Sequence, residues 1–341
     1  MTFANLPQSI EKTIAAILQQ QETSEWVHHA RDLHIRYTKG KTNYKKFIHD
    51  YVDALAYLGL RVPATYAQVF GVLNTVQEMI PLWRPTSLLD IGSGPGTATW
   101  AAISLWQELN KITCIDENRD FTSLGKQIIK DLGIIQQVNW KNRNLSLGIE
   151  EEKNSYDLVI ISNVLNELHP IAQEKLIGQA FNCCNGLLII IEPGTPRGSQ
   201  LVSSIAQKLS KVGILLAPYI ANTFVEDEGY YLHFPQRFIR PDFQRRIRQQ
   251  MRENSEVASD WEESKYSYVV ISKFSVENNY WARIVGETES KKGFLEVPVI
   301  TRENITKIKV MKRDKEAFTF AKRLRWGMPI ANKLLQTLSF S

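Results

Sequence analysis

The chain has 341 residues, of which 43% are hydrophobic and 23% charged, and this excludes a disordered chain, a collagen-like repeat and a membrane bundle. At about 100–200 residues per domain, the length leaves room for two units or three small ones. Lys and Arg number 41 against 36 Asp and Glu, a net charge of +5, and the excess is uneven: 21 basic and 13 acidic residues lie from His233 onward, leaving 20 and 23 before it. A basic final third fits either a polyanionic partner, RNA or DNA first, or a solvated basic surface.

Three cysteines, Cys114, Cys183 and Cys184, form neither a disulfide framework nor a CxxC pair, and no basic-then-apolar leader opens the chain. A reduced, cytoplasmic protein is the expectation. The longest apolar runs, such as Leu187 to Ile191, fall far short of the roughly 20 residues needed to span a bilayer.

Residues 1–80 read as a helical cap. Ile10, Ile14, Ile17 and Leu18 recur at helical spacing, as do Val52, Leu55, Ala56 and Leu58, and Tyr66 to Ile80 makes a further amphipathic helix after Pro63. From Ser87 the texture changes to short apolar strands, predicted at Ser87–Ile91, Lys111–Asp116, Gln137–Arg143, Asp157–Ser162 and Gly186–Glu192. Helices fit between them at Thr97–Leu109, Phe121–Leu132, Ile171–Phe181 and Gly198–Val212. This alternation predicts an α/β, Rossmann-like fold with a mostly parallel sheet over residues 81–275. After Gly213 it stops. Tyr219 to Gly229 reads as a loop, Pro241 to Asn254 as an Arg-rich helix, and Tyr266–Lys273 as one more strand of the main sheet. Trp281–Val285, Gly293–Val299 and Ile305–Met311, with a helix from Lys315 to Trp326, predict a small basic β-rich appendage over residues 276–341.

The sharpest signal is Leu88-Leu89-Asp90-Ile91-Gly92-Ser93-Gly94-Pro95-Gly96-Thr97, an apolar strand that runs through an acid into a glycine-rich turn opening a helix. Glycines allow tight backbone geometry and let a ligand approach the main chain. The spacing is GxGxG, which differs from the dinucleotide GxGxxG. Asp116 ends the next strand, where a carboxylate can accept both hydroxyls of a ribose. Together Asp90, Gly92, Ser93, Gly94, Gly96 and Asp116 resemble the nucleoside pocket of class I S-adenosylmethionine-dependent methyltransferases. That resemblance implies S-adenosylmethionine as cofactor, with Asn144 at the adenine edge and Asn163 at the fourth-strand exit. A fold of this type that has lost its ligand, and a dinucleotide oxidoreductase, are the alternatives.

Flanking segments narrow the resemblance. Arg61-Val62-Pro63-Ala64-Thr65-Tyr66-Ala67, Ser162-Asn163-Val164-Leu165-Asn166-Glu167-Leu168, Ile191-Glu192-Pro193-Gly194-Thr195-Pro196-Arg197-Gly198, His233-Phe234 and Trp326-Gly327 are, in that order, similar to the methyltransferase-like proteins of mitochondrial small-ribosomal-subunit assembly and their bacterial relatives. Members of that family usually hold an iron–sulfur cluster on cysteines. The corresponding positions here are Leu216-Ala217-Pro218-Tyr219 and Tyr231-Leu232-His233-Phe234, so no iron–sulfur cluster is expected, and Tyr219, Tyr230 and Tyr231 are expected to pack in its place. The resemblance implies ribosomal RNA or the small ribosomal subunit as partner.

Asn163, Asn166 and Glu167 are the candidate catalytic residues, either orienting a substrate or simply capping a helix. The stretch lacks the paired prolines of amino-methylating nucleic-acid enzymes. Arg197 lies after the fifth strand, to meet a phosphate or pair with Glu192. Arg245, Arg248 and Arg252 recur on one helical face, and Lys312, Arg313, Arg323 and Arg325 form a second cluster, with Phe318 and Trp326 either stacking on bases or belonging to the core. His28, His29, His34, His49 and His169 show no metal-ligand spacing with acidic partners, and no metal is expected. A small-molecule or protein methyltransferase and a non-catalytic binding module remain the alternatives to an RNA-directed protein.

Overall fold

In a computed structural model of the chain, residues 3–20, 23–39, 48–133, 138–219, 231–251, 259–277 and 280–331 are described. Four helices come first: α1 (Gln8–Gln19), α2 (Thr23–Lys39), α3 (Tyr51–Leu60) and α4 (Val62–Met79). Helix α1 buries Ile10, Ile14, Ile17 and Leu18, the stripe its spacing predicts. Asp50 caps α3 by accepting the Asp53 N–H at 2.8 Å. Helix α4 starts four residues before the expected Tyr66, because Pro63 sits in its first turn, where a missing N–H costs no hydrogen bond.

The α/β region follows as β1 (Ser87–Ile91), α5 (Thr97–Leu105), β2 (Lys111–Asp116), α6 (Arg119–Asp131), β3 (Val138–Asn142), β4 (Tyr156–Ser162), α7 (Pro170–Cys183), β5 (Cys184–Pro193) and α8 (Pro196–Leu209). Then come β6 (Ile214–Ala217), β7 (Phe234–Ile239), α9 (Asp242–Met251) and β8 (Trp261–Ser272). The sheet order is β3-β2-β1-β4-β5-β8-β6, with β7 pairing with β8. Strand β1 runs parallel to β2 and β4, and β2 parallel to β3, whereas β6 and β8 are antiparallel. The order reverses direction of growth beyond β1, the switch point at which ligands bind outside the carboxyl ends of the strands.

The chain ends as β9 (Ala282–Ile284), β10 (Glu289–Lys291), β11 (Phe294–Thr301), β12 (Ile305–Met311), α10 (Lys315–Ala321) and β13 (Pro329–Ile330). These strands make a second, five-stranded sheet that is antiparallel throughout. Its core holds Val297, Val299, Ile308, Val310 and Leu324, with Phe318 packed against them. Phe318 is itself partly buried and packs on this core, which favours the core reading over stacking on bases. Helix α10 stops at Ala321, five residues short of the expected Trp326, and the chain turns through Gly327 at φ +91°.

Two compact units divide the chain: one holds Thr2–Leu188 and Gln236–Ser264, the other Ile189–Pro235 and Lys265–Ser341. The boundaries fall within β5, within β7 and near the start of β8. In the first unit β1 is buried along its whole length. No helix among the described residues is long and apolar enough to cross a membrane.

Candidate cofactor and substrate site

The glycine turn leaves β1 and is held by the end of β2. Gly92 and Ser93 donate their N–H groups to the Ile115 carbonyl at 2.7 and 3.1 Å, and Gly96 closes the turn onto the Ser93 carbonyl at 2.8 Å. Gly92, Gly94 and Gly96 have φ of +69°, +54° and +99°, a region that side-chain-bearing residues rarely enter. A Cβ on Gly92 would stand 2.1 Å from Val164 Cγ2, so the β4 exit packs directly on the first glycine. Asp90, buried at the head of the turn, accepts Thr99 N–H at 3.0 Å and Thr99 Oγ1–H at 2.8 Å, tying β1 to the first turn of α5. Burial raises its pKa to about 7, against the pull of the two Thr99 hydrogen bonds and with help from the Asp116 charge.

Asp116 sits half-buried at the carboxyl end of β2. Its Oδ2 accepts the Gly94 N–H and its Oδ1 the Asn118 N–H, each at 2.8 Å. Asn118 then caps α6 through Asp120 and Phe121. These bonds fix the Asp116 carboxylate against the glycine turn. Asn144 is exposed and its Oδ1 accepts the Ser146 N–H at 2.9 Å. Ser93 is buried beside the turn.

The β4 exit holds the candidate catalytic residues. Asn163 takes φ +58°, and its Nδ2 donates to Gln68 Oε1 at 3.1 Å and to Ser162 Oγ at 3.2 Å. Asn166 and Glu167 are half-buried in a single tight turn, with Glu167 N–H on the Val164 carbonyl at 3.0 Å. Glu167 and Asp116 lie near enough to Tyr57 that their charges add to the burial that raises its pKa, while Thr65 and Arg61 pull it down. Helices α3 and α4 thus bring Tyr57, Arg61, Thr65 and Gln68 to the same place. Sequence reasoning gave none of these four a role; the Arg61–Ala67 segment was the available signal, read as a family mark alone.

These residues fit a nucleoside carrying a sulfonium arm. Asp116 sets a carboxylate beside the glycine turn, Gly94 would bring a Cβ no closer than 3.9 Å to any neighbour, and Thr97 Oγ1 is buried with no hydrogen-bond partner among the described residues.

The proposed RNA-facing cations separate into two kinds. Arg245 pairs with Asp242 and with Asp260, and Arg248 turns to Glu262 at 3.4 Å with 18% of its side chain exposed. This departs from a free basic helical face, because α9 buries Phe243, Gln244 and Ile247 and carries Arg248 inward with them. Arg252 lies outside the described residues. In the other unit, Arg197 is exposed in the first turn of α8, and Glu192, its suggested partner, is fully buried at the end of β5. Lys312, Arg313, Arg323 and Arg325 are exposed and make no ion pair among the described residues.

Two of the histidines, His29 and His49, meet acidic side chains in the fold. His29, Asp50 and Asp53 bring ligand atoms within 4.8 Å of one another, and His49 Nδ1 also reaches Asp53 at 3.2 Å. Helix packing of α2 on α3 creates this grouping, which spacing along the chain does not reveal. Arg36 occupies the cationic place: Nη1 and Nη2 donate to the two Asp53 oxygens at 2.9 and 2.7 Å. At the positions compared with cluster ligands, Tyr219 is buried beside Ser203, its hydroxyl pushed up to about 12 by burial. Tyr231 stacks on His233 at 4.6 Å, and His233 contacts Trp326 at 4.9 Å. Tyr230 lies outside the described residues. The donor set here has no thiolate and does not fit an iron–sulfur cluster.

Strand order, the reversed pairing of β8 and β6, and a glycine turn facing an acid at the end of β2 define a class I methyltransferase fold. The chain belongs to the Rsm22 family, described as mitochondrial small ribosomal subunit Rsm22, which it matches over residues 51–330. It is 27% identical over 207 residues to the human mitochondrial ribosome assembly protein METTL17, covering 58% of this chain and 41% of that protein. To the Rsm22-cox11 tandem protein 2 of Schizosaccharomyces pombe, also mitochondrial, it is 27% identical over 44% of this chain and 21% of the relative. The match thus spans less than half the length of either relative. Among solved structures, a SAM dependent methyltransferase from Aquifex aeolicus is 15% identical, with 52% of this chain and 95% of that one covered at a TM-score of 0.39. Magnesium protoporphyrin IX methyltransferase from Synechocystis, solved with bound SAH, is 13% identical, with 77% and 100% covered at a TM-score of 0.36.

The family and both curated relatives are mitochondrial by name, which overturns the cytoplasmic location expected from the sequence. The physical reason is that a cysteine set without disulfides speaks against oxidising compartments and does not discriminate among reducing ones.

Proposed function

We propose that this protein binds S-adenosylmethionine at the carboxyl ends of β1, β2 and β4 and acts on, or chaperones, ribosomal RNA during small-subunit assembly. The observation that carries the reading is Asp116, at the carboxyl end of β2, holding the glycine turn through Gly94 N–H. Asp90 and Gly92, Ser93, Gly94 and Gly96 shape the turn, Asn144 meets the base edge, and Asn163 lies toward the amino-acid end. The cofactor supplies an electrophilic methyl group; Asn163, Asn166 and Glu167 orient what receives it. Lys312, Arg313, Arg323 and Arg325 contact phosphates, with Arg197 and Arg252 as the remaining candidates, whereas Arg245 and Arg248 are held by their own carboxylates. Membership in the Rsm22 family and the similarity to METTL17, a ribosome assembly protein by name, support the partner. We further take residues 1–80, 81–275 and 276–341 as cap, cofactor-binding region and appendage, and the protein as working without an iron–sulfur cluster.

Calorimetric titration with S-adenosylmethionine tests the pocket: wild type binds, and Asp116→Ala weakens binding at least about tenfold, the cost of a lost charge-assisted hydrogen bond or two. Unchanged affinity in the variant would sink the assignment. Methyl transfer to immature small-subunit RNA then separates an enzyme from a binding module. The second reading has one observation in its favour, the absence of paired prolines at the β4 exit.

A further inference from the structure

Gln68 is 5% exposed on α4 and stands between two elements distant in sequence. Its Nε2 donates to Ser264 Oγ at 2.8 Å, and its Oε1 accepts from Asn163 Nδ2 at 3.1 Å. With Ser162 Oγ as the second acceptor, both donors of the Asn163 amide point into the protein. Asn163 Oδ1 has no partner among the described residues, and Asn163 is only half-buried. The backbone supports this: φ +58° is a conformation that asparagine tolerates better than most side-chain-bearing residues.

We propose that Gln68 is a positioning residue, turning the Asn163 carboxamide so that its carbonyl oxygen, and not its amide, meets the α-ammonium group of S-adenosylmethionine. The inference rests on the cofactor reading above and adds which end of the ligand the relay serves. Asp116 at the end of β2 takes the ribose, and β1 separates β2 from β4. Two strand spacings, about 10 Å, lie between the ribose side and the β4 exit. The sulfonium arm crosses β1 over the glycine turn, and Val164, next to Asn163, packs on Gly92 there. An ammonium donates only, so the carbonyl is the half of the carboxamide that it requires.

The test uses full-length protein and two probes, S-adenosylmethionine and 5′-methylthioadenosine, which shares the nucleoside and lacks the amino-acid end. In Gln68→Leu and in Asn163→Gly, which keeps the left-handed backbone, S-adenosylmethionine binding weakens about tenfold. Methylthioadenosine binding stays unchanged. Gln68→Glu retains wild-type affinity, because a carboxylate accepts from Asn163 and lets the Ser264 hydroxyl turn to donate. Side-chain amide exchange of Asn163, followed by nuclear magnetic resonance without ligand, is slow in wild type and Gln68→Glu and at least about tenfold faster in Gln68→Leu. Should Gln68→Leu fail to fold, Asn163→Gly and Gln68→Glu decide the outcome. Equal losses of both probes, unchanged S-adenosylmethionine affinity in Asn163→Gly, or a Gln68→Glu protein as weak as Asn163→Gly would each overturn the inference. If neither probe binds wild type, the cofactor reading fails and the inference falls with it, whereas methylthioadenosine binding without discrimination between the probes refutes the relay alone.

Discussion

Gly92 and Gly133 have nearly the same backbone, φ +69° and +62°, and different surroundings. A Cβ on Gly92 would meet Val164 at 2.1 Å, whereas nothing lies within 4 Å of one on Gly133. Ala at Gly133 thus suffers only the left-handed penalty, about 1 kcal/mol. Ala at Gly92 adds overpacking, for a total of about 2–4 kcal/mol. Denaturant unfolding of the two variants measures the difference; equal losses would mean that Val164 yields and that the β4 exit is not braced by the turn. The motif made Gly92 legible as a flexible position, but the facing Val164 comes from a strand some seventy residues on, and no local pattern announces it. Gln68 is hidden in the same way. A buried glutamine in a helix reads as a polar position until the topology supplies Asn163 and Ser264.

Between elements, Asp90 joins β1 to α5, and its ionisation sets how firmly. Its pKa rises from 3.8 to about 7 in the folded protein through burial. A carboxyl raised on folding stabilises as its protonated form, fully below about pH 4, and this contribution is lost as pH climbs through 7. Asp90→Asn imitates the protonated acid and keeps an oxygen for Thr99. The variant should gain on wild type by roughly 1.4 kcal/mol for each pH unit between about 4 and 7, then level off. Urea unfolding at about pH 5 and about pH 8 checks this, and a difference independent of pH would show that Asp90 is ionised throughout. The strands legible from end to end, β1, β2 and β12, are those whose apolar residues run continuously or alternate cleanly between turn residues. Strands β6 and β7 were missed for opposite reasons. Ile214–Ala217 has only four residues and follows a helix closely, and Phe234–Ile239 carries Pro235 and two polar side chains, Gln236 and Arg237. Pairing with β8 makes both of them strands.

Across the whole molecule, net charge was the first clue and the structure divides it by kind. The +8 after His233 contains arginines of α9 that face their own carboxylates, Asp242, Asp260 and Glu262, and four appendage cations, Lys312, Arg313, Arg323 and Arg325, that make no ion pair among the described residues. A sequence count weighs the two equally, since Glu262 lies 14 residues from Arg248 and only the fold shows that they meet. Ion-paired arginines release few counterions when a phosphate arrives, because a carboxylate already neutralises them. Binding to a single-stranded segment of small-subunit ribosomal RNA should therefore weaken with salt in proportion to the appendage cations. Changing Lys312, Arg313, Arg323 and Arg325 to Gln lowers the slope of log affinity against log salt by up to about 3, at about 0.7 for each phosphate contact on single strands. Changing Arg245 and Arg248 to Gln leaves the slope almost unmoved. Fluorescence anisotropy over about 50–200 mM salt reads both variants. A slope that drops with the α9 pair and not with the appendage set would move the RNA surface to the helix and leave the appendage a solvated basic face.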